Sequence, residues 1–173
     1  MKIYVSEYGK DGFFMEQNIE YRQQLVREYK RMVSPLLAYL PWLVQNAGQP
    51  GSTAYRGDGY SDQSVSFSFP VYDSTLMSFI KEASKSPLME KNYSYTYTRN
   101  RIRNHDDERR VIQAANIKDW DILRGILSKY VLGGRTKAAL WSEAVRENIF
   151  ALVLEKMRKI IEYWDKPMDD EAR

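Results

Sequence analysis

Residues 116–164 hold two amphipathic stretches separated by Gly133-Gly134, and this pattern limits the chain more than any other feature. In the first, Ile122, Leu123, Ile126, Leu127, Tyr130 and Val131 recur at steps of three and four, so they share one helical face. In the second, Val145, Ile149, Leu152, Val153, Met157, Ile160 and Trp164 form a stripe that Leu140, Phe150, Ala151, Leu154 and Ile161 widen. Two such stripes bury themselves only against each other or against further helices. The spacing therefore predicts a helical hairpin, with the second helix opening near Thr136 and packed on two sides.

The rest of the chain supplies partners for that hairpin. From Ile19, the residues Leu25, Tyr29, Met32, Val33, Leu36, Leu40 and Leu43 mark another helical face, and Pro35 and Pro41 predict a kink or break within it. Asp73 or Ser74 can cap a helix through Leu76, Met77, Phe79 and Ile80 that stops by Pro87. Asn104 can cap a helix whose first turn carries Asp106, Asp107 and Glu108, favourable at the positive end of the helix dipole, and Asp119 can cap the next. SVSFSFPV alternates Val65, Phe67 and Phe69 with serine, the signature of a half-buried strand, and MKIYV or NYSYTYT is its expected partner. Residues 46–64 are rich in Gly, Ser, Asp and Asn and predict a long loop. The expected fold is mainly α: a single-domain helical bundle over residues 1–166, with a C-terminal helical hairpin, a minor β element near 65–70 and an acidic, frayed tail over 167–173.

At 173 residues the chain is long enough for one well-buried core. It contains no cysteine, which excludes disulfides, thiolate metal sites and cysteine nucleophiles and fits a reducing compartment, so a cytoplasmic location is expected. MKIYVSEYGKDGFF lacks an apolar run of signal-peptide length, and no apolar stretch approaches bilayer-spanning length, so no membrane association is expected. The net charge of +3 is too small to imply nucleic acid unless the cations cluster, and Arg99, Arg101, Arg103, Arg109 and Arg110 do cluster.

Four features bear on function. In NYSYTYTRNRIR, Tyr93, Tyr95, Tyr97, Arg99, Arg101 and Arg103 fall on odd positions, so an extended strand would show them on one face able to stack bases and meet phosphates. Tyrosine is also a favoured strand residue, and arginines can simply solvate a helix entrance. In GGRTK, a helix N-terminus beside Arg135, Thr136 and Lys137 could hold an anion, although the phosphate-loop pattern is incomplete and Gly133-Gly134 also suits a helix end and turn. The 46–64 loop, with Tyr55 and Tyr60, is a candidate partner-binding segment, as are the surfaces of Trp42, Trp120, Trp141 and Trp164 where these are not core. His105, Asp106, Asp107 and Glu108 name the side chains of metal and acid/base sites, but only His105 and Glu108 are helical neighbours, and capping explains the run.

YDSTLMSFIKEA, NYSYTYTRNRI, ILSKYVLGG and TKAALWSEAV together resemble an uncharacterised family of small proteins from Gram-positive bacteria and their mobile genetic elements, over about residues 70–166. The resemblance implies a bacterial origin and carries no catalytic residue, metal or cofactor. With one histidine and no recognisable nucleophile motif, the expected function is a non-catalytic binding or accessory protein with a protein partner. Single-stranded nucleic-acid binding through the Tyr/Arg segment is the alternative, and a small-ligand or enzyme site assembled from distant segments is the third reading.

Overall fold

The computed structural model describes residues 11–49, 51–57 and 67–165, with side-chain environments for 19–49, 51–52 and 71–165. Eight α-helices and one pair of strands make up these residues. The mainly helical class read from the periodicities is what forms. The MKIYV strand, Tyr60 and the 167–173 tail lie outside the described residues.

Helix α1 (Asp11–Leu37) runs through Pro35 and ends two residues later, and α2 (Leu40–Gln45) begins with Pro41 in its first turn, where a missing N–H costs nothing. The two prolines thus divide one apolar face into two helices, and Val26, Val33, Leu36, Leu40 and Leu43 are all buried. Helix α3 (Ser74–Lys85) is capped by the Asp73 carboxylate, which accepts from the Thr75 amide at 2.7 Å. Helix α5 (His105–Ala114) is capped by Asn104, whose side chain accepts from the Asp107 amide at 2.9 Å. Both caps were legible in the sequence because capping is a local exchange between a short polar side chain and orphan amides. The expected Asp119 cap is different. Asn116 caps a 3-10 turn over Ile117–Asp119, and Asp119 closes a capping box by accepting from the Asn116 amide. Helix α6 (Trp120–Gly133) then follows with no side-chain cap of its own.

Three expectations are corrected. The tyrosine-rich NYSYTYT is not a strand but α4 (Tyr93–Arg99). Within α4, Tyr93, Thr96 and Tyr97 turn inward at helical spacing, while Ser94, Tyr95, Thr98 and Arg99 face solvent. Thr96 lies against Gly125 of α6, where a Cβ would stand 2.5 Å from Thr96 Cγ2, so the bare backbone of α6 allows α4 to seat. Packing decides here against the alternating pattern. Second, the 46–64 stretch is not a continuous loop. Its β1 (Ser52–Gly57) pairs antiparallel with β2 (Phe67–Tyr72), Tyr55 opposite Phe69 and Ala54 opposite Pro70. The minor β element therefore finds its partner in that stretch, and in a two-stranded ladder Pro70 is on an edge strand, where it is tolerated.

Third, the second arm of the C-terminal hairpin is two helices, α7 (Ala139–Arg146) and α8 (Ile149–Trp164). Asn148 separates them in the left-handed conformation, φ 61°, which asparagine tolerates better than most residues. Gly134 is needed for proximity rather than for an unusual φ: a Cβ there would overlap the Trp141 indole, which packs across the turn and donates to the Val131 carbonyl. Leu127, Val131, Ile149, Val153 and Met157 share the buried core as the facing stripes require. Leu152 is only partly buried against that core, and Leu154 takes a fully buried place instead.

The core is one contiguous cluster fed by α1, α2, α3, α5, α6, α7 and α8. Phe150 stands near its middle, edge-on to Phe79 at 5.0 Å and to Tyr130 at 6.0 Å. Trp120 is buried and stacked on Tyr29 at 3.9 Å, and Trp42, Trp141 and Trp164 pack partly buried on the core, so the tryptophans are mainly packing residues. Among the described residues no helix is long and apolar enough to cross a membrane.

Candidate functional site

Two places concentrate chemistry-bearing side chains: a network around Glu108, and a polar groove between α4 and α6. The network begins with the Asn104 cap, which starts α5 so that His105 and Glu108 sit three residues apart on one face. Glu108 is 1% exposed. Its carboxylate accepts from Tyr97 of α4 at 2.6 Å, from Tyr130 of α6 at 2.9 Å on both oxygens, from Lys129 Nζ at 3.2 Å and from His105 Nδ1 at 2.9 Å. The other ring nitrogen of His105 faces Glu143 of α7 at 2.9 Å. Lys129 also lies over the Tyr97 and Tyr130 rings, 4.5 and 4.8 Å from their centroids. Nearby, Arg109 joins α5 to the end of α7 through Glu147 at 2.6 Å.

The electrostatics follow from this arrangement. Burial pushes the Glu108 carboxyl up, but hydrogen bonds from Tyr97 and His105, the Lys129 charge and the Tyr130 bond outweigh it, and the net direction is below the ordinary carboxyl range. Burial beside the Glu108 charge pushes the Tyr97 and Tyr130 phenols far up, so both are neutral donors at any ordinary pH. The Arg109 bond holds Glu147 below its ordinary value.

A carboxylate offers about four acceptor positions, and four side chains already occupy those of Glu108. No lone pair remains for a proton from a substrate. The two carboxylates on His105 lie at opposite ring nitrogens and do not converge, and among the described residues no group of three His, Asp or Glu side chains could hold a metal ion. The network therefore joins α4, α5, α6 and α7 and is chemically occupied in doing so. The adjacency of His105 and Glu108 is legible in the sequence, whereas Tyr97, Lys129, Tyr130 and Glu143 come to the network from three other helices. The one visible signal was Lys129-Tyr130, polar tips interrupting an otherwise apolar stripe.

A depressed carboxyl stabilises the fold above its unfolded-state value, and that contribution is lost as pH falls through the folded-state value. Denaturant stability is thus expected to decline below about pH 4.5, with Glu108 adding up to about 1.4 kcal/mol per pH unit to the slope. Urea titrations of the native chain and Glu108→Gln at several acidic pH values test this. Parallel slopes in the two proteins would remove Glu108 as a contributor.

The groove has a volume of about 470 Å³ and lies between α4, the 3-10 turn and the start of α6. Tyr95 stands at its lip, 56% exposed, with Arg99 one turn further along α4 and Lys118 opposite. Arg124 forms part of the wall, pinned to the Pro87 and Leu88 carbonyls and to Asp121. Asp119 and Glu90 each accept a local backbone N–H, from Asn116 and Asn92. Arg99 and Lys118 make no ion pair among the described residues.

The sequence-derived candidates are thereby redistributed. Because 93–99 is helical, the six odd positions do not share a face. Tyr97 is spent on Glu108, and Tyr93 is half-buried near Gly133. Only Tyr95 and Arg99 reach the groove. Arg101 and Arg103 are exposed outside it, Arg101 at φ 54°, and the Arg103 amide donates to Asp107. The anion cradle at Arg135, Thr136 and Lys137 does not form. The amides of Gly134, Arg135, Thr136 and Lys137 donate to the Tyr130, Leu132 and Gly133 carbonyls, and the Thr136 hydroxyl also caps Gly133. Those donors finish α6 and do not point at a ligand. Tyr55 lies in β1, its side chain outside the described set, and Tyr60 lies outside it altogether.

Comparison with protein-family models, with curated proteins and with solved structures finds no match to this chain.

Proposed function

We infer that the chain is a non-catalytic binding protein that receives a partner protein in the groove between α4 and α6. The observation that carries this reading is the exposed Tyr95 ring above a polar groove in which Arg99 and Lys118 make no ion pair among the described residues. An exposed tyrosine supplies large contact area at low entropic cost. Once Arg124 is set against Asp121, the cations Arg99 and Lys118 balance the carboxylates Glu90 and Asp119, so the groove is close to neutral. Mixed charge suits a polar polypeptide segment carrying both signs. It suits a polyphosphate backbone poorly, because Glu90 and Asp119 oppose the counterion release that drives such binding. The resemblance over residues 70–166 would make the partner a product of a bacterial mobile element, encountered in the cytoplasm.

Nucleic-acid binding is retained as the second reading because Tyr95 and Arg99 are four residues apart on one helix face, a ring and a guanidinium together. A photo-crosslinking residue at position 95, compared with one at exposed Tyr163 on α8, distinguishes the readings. A single polypeptide adduct at 95, lost in Arg99→Ala/Lys118→Ala and absent at 163, is the expected result. Equal labelling at both positions overturns the groove reading. An adduct with an added labelled single-stranded oligonucleotide that weakens steeply with salt supports the second.

A further inference from the structure

We propose that the face made by α5, α8 and α2 is a second docking surface, and that it takes an acidic, amphipathic helical segment of a partner protein. It shares no lining residue with the groove between α4 and α6. A cleft of about 380 Å³ lies between α5 and α8, with Ile112 and Leu152 on its floor and Arg109, Lys156, Lys159 and Glu155 around them. A second, of about 340 Å³, lies between α2 and α8, where Leu37, Leu40, Pro41 and Val44 meet Glu155 and Arg158. Glu155 lines both, so the two clefts join across α8.

Both clefts hold apolar side chains that the core leaves uncovered. Leu152 belongs to the apolar stripe of α8 yet is only partly buried, and Val44, in the last turn of α2, is 49% exposed. A helix laid across α8 can set one apolar residue against each of them, the usual way an amphipathic helix enters a groove. The stretch from Leu152 to Lys159 is about two turns, or roughly 10 Å, long enough to meet successive turns of such a helix.

The charges say which sign that helix carries. Three cations and one carboxylate line the α5–α8 cleft, whereas three of each line the α4–α6 groove. Arg109 is set against Asp106 and Glu147, and Arg158 against Glu162. Lys156 donates to the Gln113 carbonyl at 2.7 Å, a neutral acceptor, and Lys159 makes no ion pair among the described residues. These two lysines lie one turn apart on α8 and face the single carboxylate of Glu155. Carboxylates flanking an apolar ridge complement that pattern, and such complementarity fixes register and speeds encounter. A small organic anion would meet the lysines but leave Leu37, Pro41 and Val44 uncovered. A second copy of the chain, docked about a two-fold axis here, would bring its own Lys156 and Lys159 against this pair.

The test titrates the isotope-labelled full chain with a synthetic peptide that carries leucines along one helical face and glutamates on both flanks. Amide shifts are expected to gather at Gln113, Leu152, Lys156 and Val44, and affinity to fall as salt is raised. Lys156→Glu/Lys159→Glu should weaken binding by about tenfold and turn the preference toward the matching peptide with lysine in place of glutamate. Val44→Ser, at an exposed position, should weaken it by about threefold without changing the salt dependence. Absence of shifts, shifts gathered at Tyr95 and Arg99, equal binding of the two peptides by the native chain, or unchanged affinity in the double variant would overturn the proposal. So would octanoate reproducing the whole pattern, Val44 included, which marks a small-anion site, or the same shifts arising from protein concentration alone, which marks self-association.

Discussion

Phe150→Ala is expected to destabilise the protein by about 3 to 5 kcal/mol, read from the urea midpoint by circular dichroism. Phe150 has no exposed surface and is the ring at which α3, α6 and α8 meet, edge-on to Phe79 and Tyr130. Truncation removes a large apolar surface and leaves a cavity that three rigid helices cannot close. The aromatic pair energies of roughly 0.5 to 1.5 kcal/mol each are lost as well, without adding fully to the cavity cost. Phe150→Leu keeps most of the volume and should cost less than about 1.5 kcal/mol if the site repacks around it. A loss below about 1 kcal/mol for the alanine variant would show that the three helices do not share this contact.

Glu108→Ala should cost about 2 to 4 kcal/mol. The expected loss comes less from the missing attraction than from what is left behind. The buried Tyr130 hydroxyl would lose its carboxylate acceptor, and so would the Tyr97 hydroxyl. Lys129 and His105, each near 30% exposed, can turn to water and soften the effect. A cycle with Tyr130→Phe separates the terms, because a phenylalanine no longer has a hydroxyl to orphan. The double variant should therefore be more stable than the sum of the singles by about 1 kcal/mol or more, measured by the same denaturant titration. Strict additivity would mean that water replaces Glu108 at Tyr130 and that the network is not a closed unit.

Both expectations rest on residues that differ in how far they were legible beforehand. Phe150 belongs to a periodic apolar stripe, and its burial follows from the period alone. Glu108 was visible as a first-turn residue one helical step from His105, where capping and solvation account for it. Its burial depends on Tyr97 and Tyr130 arriving from other helices, and no local pattern encodes that arrival. The same division explains NYSYTYT. Alternating tyrosines favour a strand when nothing else competes, but the seat offered by Gly125 and the acceptor offered by Glu108 lie 29 and 11 residues on from Thr96 and Tyr97.

The sequence by itself determined the helical class, the caps at Asp73 and Asn104, the proline division between α1 and α2 and most of the core, because each is set by interactions within a turn or two of chain or by a period of apolar residues. The tertiary structure alone decided that β2 pairs with residues 52–57, that Asn148 splits the last arm, that Leu152 is turned partly outward, and that Tyr95 and Arg99 face a groove while Tyr97 serves Glu108. These outcomes depend on which surfaces meet once the helices pack, and the free energy of such meetings belongs to pairs of residues far apart in the chain.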